Sequence, residues 1–236
     1  LNSSEEERGA VAQKSWIEQL AEVSVFLFLI VPSLIFSFFA VKQGGLGFVP
    51  LSIFVMLRDL ALISLIIFFI HSNREHVRSI GWTFKNARRE IVLGILLFVV
   101  FFFGAAFLEM FLEAAGLSTP RIPAPSFVTP RGILQSMLAL VMVVVVALSE
   151  ETIFRGYLIL RFRAVTGSAV WAILLSAFVF SLGHGYEGSA GVVTVGFMGV
   201  FLGVIYVWRR SLIAPIVIHF LQDFITIVVQ SLVGPL

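Results

Sequence analysis

Six ionisable side chains lie inside apolar sequence in the second half of this chain. Their carboxylate, imidazole and guanidinium groups are those that move protons and steady charge. "ALSEETIFRGY" (147–157) carries Glu150, Glu151 and Arg155, "FSLGH" ends on His184, and "HFLQD" holds His219 and Asp223. Ionisable groups are costly in hydrocarbon, so each is a functional candidate with a partner to be found. On a helix, residues four apart share a face, which pairs Glu151 with Arg155, His219 with Asp223, and Phe180 with His184. Glu150 points about 100° away from Glu151 and is left free by that ion pair. Such groups serve either to activate water or to relay protons and ions.

The surrounding sequence requires a bilayer. Of 236 residues, 59% are hydrophobic and 13% charged, and 25 are phenylalanine, too little polar surface to cover a soluble globule. Mean hydropathy is +1.03. Apolar runs of spanning length recur at roughly 22–41, 48–70, 91–112, 133–157, 169–184, 190–207 and 211–231, and hydrocarbon forces their backbones into helices. The predicted fold is all-α, a polytopic bundle of about seven spans forming one membrane domain over 1–236. Residues 1–132 hold three N-terminal spans and loops, and 133–231 hold the core with the ionisable groups. The first run, "VSVFLFLIVPSLIFSFFA", is read as a span rather than a cleaved leader, because no small-residue cleavage site follows.

With the N-terminus in the cytoplasm, eleven Lys and Arg fall on the inner side, Arg161, Arg163, Arg209 and Arg210 among them. Three, Lys42, Arg121 and Arg131, fall on the outer side, and Arg58 and Arg155 lie within spans. That asymmetry orients the chain N-terminus inside. The pI of 9.3 has the same origin, together with an anionic inner leaflet, and calls for no nucleic acid. Counted at about 1.5 Å per residue from the inner boundary, Glu150, His184 and His219 lie roughly 13–20 Å deep and meet near mid-membrane.

Elsewhere the sequence gives architecture. "HSNREHVRSIGWTFKNARRE" (71–90) reads as a basic inner loop with a short interfacial helix around Trp82 and Phe84. Residues 113–132, with Pro120, Pro123, Pro125 and Pro130, read as an outer loop. Gly196, Gly199 and Gly203 predict close helix packing of the sixth span. Arg58 and Asp59 are adjacent and therefore not expected to face one another; with Glu109 and Glu113 they carry no assigned chemistry. No internal repeat is visible, and the sequence specifies no oligomer.

In this order and spacing, Glu150-Glu151-x-x-x-Arg155, Phe180-x-x-x-His184 and His219-x-x-x-Asp223 resemble the motif set of the CAAX prenyl protease and bacteriocin-processing family of intramembrane endopeptidases, also called Abi or Rce1-like. The resemblance covers roughly residues 149–226 and includes the run-up "RSLIAPIVIHF". It implies an endopeptidase acting on a lipidated CAAX-type or other membrane-associated peptide, with lipid and peptide as partners; the short chain itself points to a prokaryotic cell membrane. Hydrolysis without a serine or cysteine nucleophile needs an activated water and stabilisation of the carbonyl oxygen. Glu150 and His184 suit the first task and His219 the second, with Glu151, Arg155 and Phe180 in support.

The family's final partner is commonly Asn; here it is Asp223. An ionised aspartate repels an oxyanion that an amide would hold. Asp223 is therefore protonated, orients a His219 imidazolium, or joins Glu150, His184 and His219 in a zinc site. The metal-free mechanism, which requires no cofactor, is favoured over zinc. No cysteine exists to ligate a metal or form a thiolate, and no HExxH helix is present. Two other classes compete: a proton- or ion-coupled transporter using the same buried groups, and a non-proteolytic scaffold or immunity protein of the family.

Overall fold

The structure, a computed structural model, describes residues 15–40, 47–117, 129–229 and 232. It is a bundle of seven helices with no strand among the described residues. These are α1 (Trp16–Ala40), α2 (Phe48–Ser72), α3 (Ala87–Ala114), α4 (Gly132–Thr166), α5 (Ala169–Leu182), α6 (Gly188–Arg209) and α7 (Ile213–Val229). Pro120, Pro123, Pro125, Lys42, Arg121 and the residues before Ser15 lie outside the described residues.

Five stretches are long and apolar enough to cross a membrane: Trp16–Ile35 in α1, α2, α3, α4, and Gly185–Arg209, which contains α6. Their outer surfaces carry bare Phe28, Phe68, Leu96, Phe103, Phe107 and Leu134, each more than 60% exposed. That much exposed apolar surface is stable only against lipid, which makes this an integral membrane protein.

Two of the seven expected spans prove short. α5, at 14 residues, rises about 21 Å, well below the ~30 Å of a hydrocarbon core. The chain leaves it through Gly183 and a 3₁₀ turn, Gly185–Glu187. Non-helical backbone at that depth is tolerated where protein covers it or where it lines a cavity. α7 is α-helical to Asp223 and π-helical over Phe224–Val229.

The helices alternate, so the N-terminal ends of α1, α3, α5 and α7 meet the C-terminal ends of α2, α4 and α6. Polar contacts lock this end. Arg161 of α4 donates from Nε to Glu22 of α1 and from Nη1 and Nη2 to both carboxylate oxygens of Glu75, each at 2.8 Å. Tyr157 and Asn73 also donate to Glu22 at 2.8 Å. Arg209 of α6 meets Glu90 of α3 at 2.6 Å, and the Leu212 amide donates to the Gly81 carbonyl at 3.1 Å.

Here the structure corrects the sequence reading. Helix α4 runs nine residues past the expected end at 157, and Arg161, expected in an inner loop, is 2% exposed inside it. The short helix of the 71–90 segment is a 3₁₀ turn at Val77–Ile80, ahead of Trp82. The Trp82 indole turns inward and donates to Thr152 at 3.2 Å.

Packing is closest where side chains are smallest. A Cβ on Gly199 would lie 2.8 Å from the Ala177 Cβ, and one on Gly203 2.9 Å from Ile173, so α6 seats directly on α5 as the glycine spacing predicts. Gly94 brings α3 equally near Val217 and the Ala214 carbonyl of α7. One apolar cluster joins α1, α2, α4 and α5 around Phe26, Ile66, Tyr157 and Phe180. A second joins α3, α6 and α7 around Phe101, Leu202 and Ile218.

Candidate active site

Between these clusters, α4, α5 and α7 bring the three sequence motifs together. Helix α4 changes character at the first of them: Gly132–Glu150 is α-helical, Glu151–Leu158 is π-helical, and α-helix resumes at Ile159. Neighbours hold the widened turn. Ser176 of α5 donates to the Phe154 carbonyl at 2.6 Å, and Thr152 donates to the Leu148 carbonyl at 2.7 Å. Gly156 lies so near the Ile80 carbonyl that a Cβ would sit 2.7 Å from its oxygen. A side chain bonded into the backbone ladder is a recognised cause of such departures from α geometry.

The expected pair of Glu151 and Arg155 is present, Nη1 to Oε1 at 2.8 Å, with both residues at most 1% exposed. The same Oε1 accepts from a second donor that spacing on one helix does not reveal: His219 Nδ1 of α7, at 2.8 Å. Glu151 thus joins Arg155 to His219. That bond fixes the imidazole, whose Nε2 faces Asp223 Oδ2 at 3.4 Å and Glu150 Oε2 at 3.8 Å.

Phe180 is the floor of the site. Its ring is 1% exposed, carries the Arg155 guanidinium 4.3 Å from its centroid, and contacts His184 at 5.0 Å and His219 at 6.0 Å between centroids. A cation over an aromatic face is stabilised by the ring quadrupole, more so when water is excluded. Both histidines therefore flank one aromatic ring.

His184 sits at the end of α5, where the helix breaks. Its Nδ1–H donates to the Phe180 carbonyl at 3.3 Å. In a neutral imidazole this leaves Nε2 with its lone pair, as an acceptor. Among the described residues no hydrogen bond joins His184 to Glu150; His184 reaches the site through the Phe180 ring, which also contacts His219. Among the described residues no three His, Asp or Glu side chains are placed to hold a metal ion together, although Glu150 and Asp223 both approach His219. The donors named for zinc, Glu150, His184, His219 and Asp223, do not fit a metal in this arrangement, and no step below is routed through one.

Sequence reasoning missed two contributions from outside the motifs. Arg58 and Asp59, expected to point apart, form an ion pair on α2, with Nη2 to Oδ1 at 2.7 Å and Nε to Oδ1 at 2.9 Å. The arginine side chain is long enough to fold back on its neighbour. Glu187, in the turn after His184, lies within electrostatic reach of His184, Asp223 and Glu109. For Arg58 and Asp59 the signal was a pair of ionisable groups within an apolar run; Glu187, in the Gly-rich connection after His184, carried no such signal.

Residues 132–225 match the family model described as type II CAAX prenyl endopeptidase Rce1-like. The membrane-embedded CAAX protease MroQ of Staphylococcus aureus (strain USA300) is 33% identical over 91 residues. That alignment covers 36% of this chain and 36% of the length of that relative. No solved structure matches. The matched residues include every motif position from Glu150 to Asp223, so the segment 132–225, spanning α4 to α7, is similar to the Rce1-like family in the part of the chain that forms this site.

Proposed function

We propose that this chain is an intramembrane endopeptidase that hydrolyses a peptide bond in a lipidated CAAX-type or other membrane-associated substrate. The observation that carries this reading is His219. Its Nδ1 is fixed by the Glu151–Arg155 pair, which leaves Nε2 presented beside Glu150 in a site shared with His184.

In the proposed reaction, Glu150 takes a proton from water while the oxygen attacks the scissile carbonyl carbon. His184 Nε2 accepts a hydrogen bond from that water and orients it. His219 donates from Nε2 to the oxyanion that forms, and Glu151 holds the ring in place for that bond. Collapse of the tetrahedral intermediate breaks the C–N bond, and Glu150 returns its proton to the departing amine. Asp223, 3.4 Å from Nε2, orients the ring from its other side and competes with the oxyanion for the same donor.

The membrane setting supports a substrate that arrives sideways. The site lies within helices whose outer faces are apolar, and a lipid-anchored peptide reaches such a site by lateral diffusion. The N-terminus is assigned to the cytoplasm on the Lys/Arg bias, and a reporter fused after Leu236 is expected outside it. Cytoplasmic labelling of that reporter reverses the assignment.

The test uses purified protein in proteoliposomes with a fluorescent lipidated CAAX-type peptide, products identified by mass. Expected are cleavage by the parent, none by Glu150→Gln or His184→Ala, and no loss of rate with chelator. Ion flux with no cleavage assigns the chain to transport instead. Stable folding with neither activity assigns it to a scaffold role.

A further inference from the structure

The Rce1-like segment begins at residue 132, yet Glu150 has a second carboxylate near it from α2. Asp59 is 0% exposed and lies within electrostatic reach of both Glu150 and His219. Its Oδ1 is taken by Arg58. Its Oδ2 is buried without a hydrogen-bond partner among the described residues, and so is Glu150 Oε2. Two such orphaned acceptors are costly unless something donates to both.

Both residues line one small cavity between α1, α2 and α4, with Arg58, Ser33 and Leu34 also in its wall. Its volume is about 20 Å³, against the ~10–15 Å³ needed to hold one water. A water in a buried polar site needs two to four partners. Two carboxylate oxygens and a guanidinium are well matched to it: the water has two hydrogens to give to the acceptors, and its oxygen accepts from a cation. Arg58 has five N–H groups, and its bonds to Asp59 come from Nε and Nη2 alone.

We propose that Arg58 and Asp59 are positioning residues for Glu150, acting through a single water in this cavity that donates to Asp59 Oδ2 and Glu150 Oε2 and accepts from Arg58. The bridge holds the Glu150 carboxylate in one rotamer, with Oε2 kept 3.8 Å from His219 Nε2 and Oε1 left unbridged for the substrate water. It also separates two anions that would otherwise repel in a low-dielectric interior. The N-terminal helices are thus part of the active site. The kinetic consequence rests on the proposed role of Glu150 as general base.

Two measurements test this, and they fail separately. An experimental structure at a resolution that shows ordered water should place one between Asp59 and Glu150. Its absence there overturns the inference whatever reaction the protein performs. In the peptide assay, Asp59→Asn preserves shape and loses an anionic acceptor, and Arg58→Met removes the donor. Each should lower kcat roughly tenfold with KM within about twofold and melting temperature little changed, as expected for groups that orient a catalytic residue. Unchanged kcat, or a loss that only follows lost thermal stability, overturns it. A parent that cleaves no peptide sinks the proposed function and leaves the water as the deciding result.

Discussion

Two buried arginines stand on α4 and meet carboxylates in opposite ways. At Arg161 all three guanidinium nitrogens donate, to Glu22 and to both oxygens of Glu75, each at 2.8 Å. At Arg155 only Nη1 finds a carboxylate, and Nη2 is left without a hydrogen-bond partner among the described residues, as are Glu151 Oε2 and Glu150 Oε2. Equal burial hides this difference, since the two are 2% and 1% exposed. A saturated cluster is a clamp, because it has no bonding capacity left for a ligand. An unsaturated one keeps its capacity for something that arrives, and buried polar groups left short of partners are expected where function requires them.

The largest effect should come from the unsaturated side. Glu150→Gln removes the proton acceptor and should lower kcat about 10⁴-fold, the upper range for general-base loss, while the protein melts within a few degrees of the parent. A slowed but substantial rate would move the base to another residue. Glu151→Ala should damage both properties, since it leaves Arg155 buried and unpaired and releases His219. A loss of about 3–5 kcal/mol is expected from the stranded charge, with cleavage falling alongside. An inactive variant as thermostable as the parent contradicts the ion-pair role.

Arg161→Ala sharpens the comparison from the other side. It removes the counter-charge from Glu22, which keeps Tyr157 and Asn73 as donors, and from Glu75, and should cost about 3 kcal/mol of stability, yet cleavage per folded molecule should stay within about threefold of the parent. A selective loss of kcat in the folded fraction would erase the distinction between the two clusters. The smallest effect is predicted for Asp223→Asn. It removes a carboxylate that competes with the oxyanion for His219 and adds an amide donor, so activity should hold or rise. If activity falls and added zinc restores it, with metal found in the parent, the four donors bind zinc and the metal-free mechanism is wrong.

The seven helices were legible because each is an apolar run, five of them long enough to span. The motif residues were legible because ionisable groups stand out against such runs. What the sequence hid were contacts between helices. Arg161 looked like an ordinary inner-loop charge because its partner Glu22 is 139 positions away. The bond from His219 to Glu151 spans 68 positions, so helical spacing paired Glu151 with Arg155 and stopped there. The early end of α5 was half visible in Gly183 and Gly185. That it sets His184 at a break in the helix, where an imidazole can turn toward the site, required the packed structure.

The π-helical stretch Glu151–Leu158 works as a phase shifter. In an α-helix each residue contributes about 100° of rotation, so what precedes and follows a change of pitch can be aimed independently. Upstream, Glu150 faces the His219 side; downstream, Arg161 faces α1. Returning the stretch to α geometry at constant length would turn one half of α4 against the other by roughly a quarter turn. The protein would then keep either its reactive face or its clamp in register. For that reason the pitch of this one segment governs both ends of α4 at once.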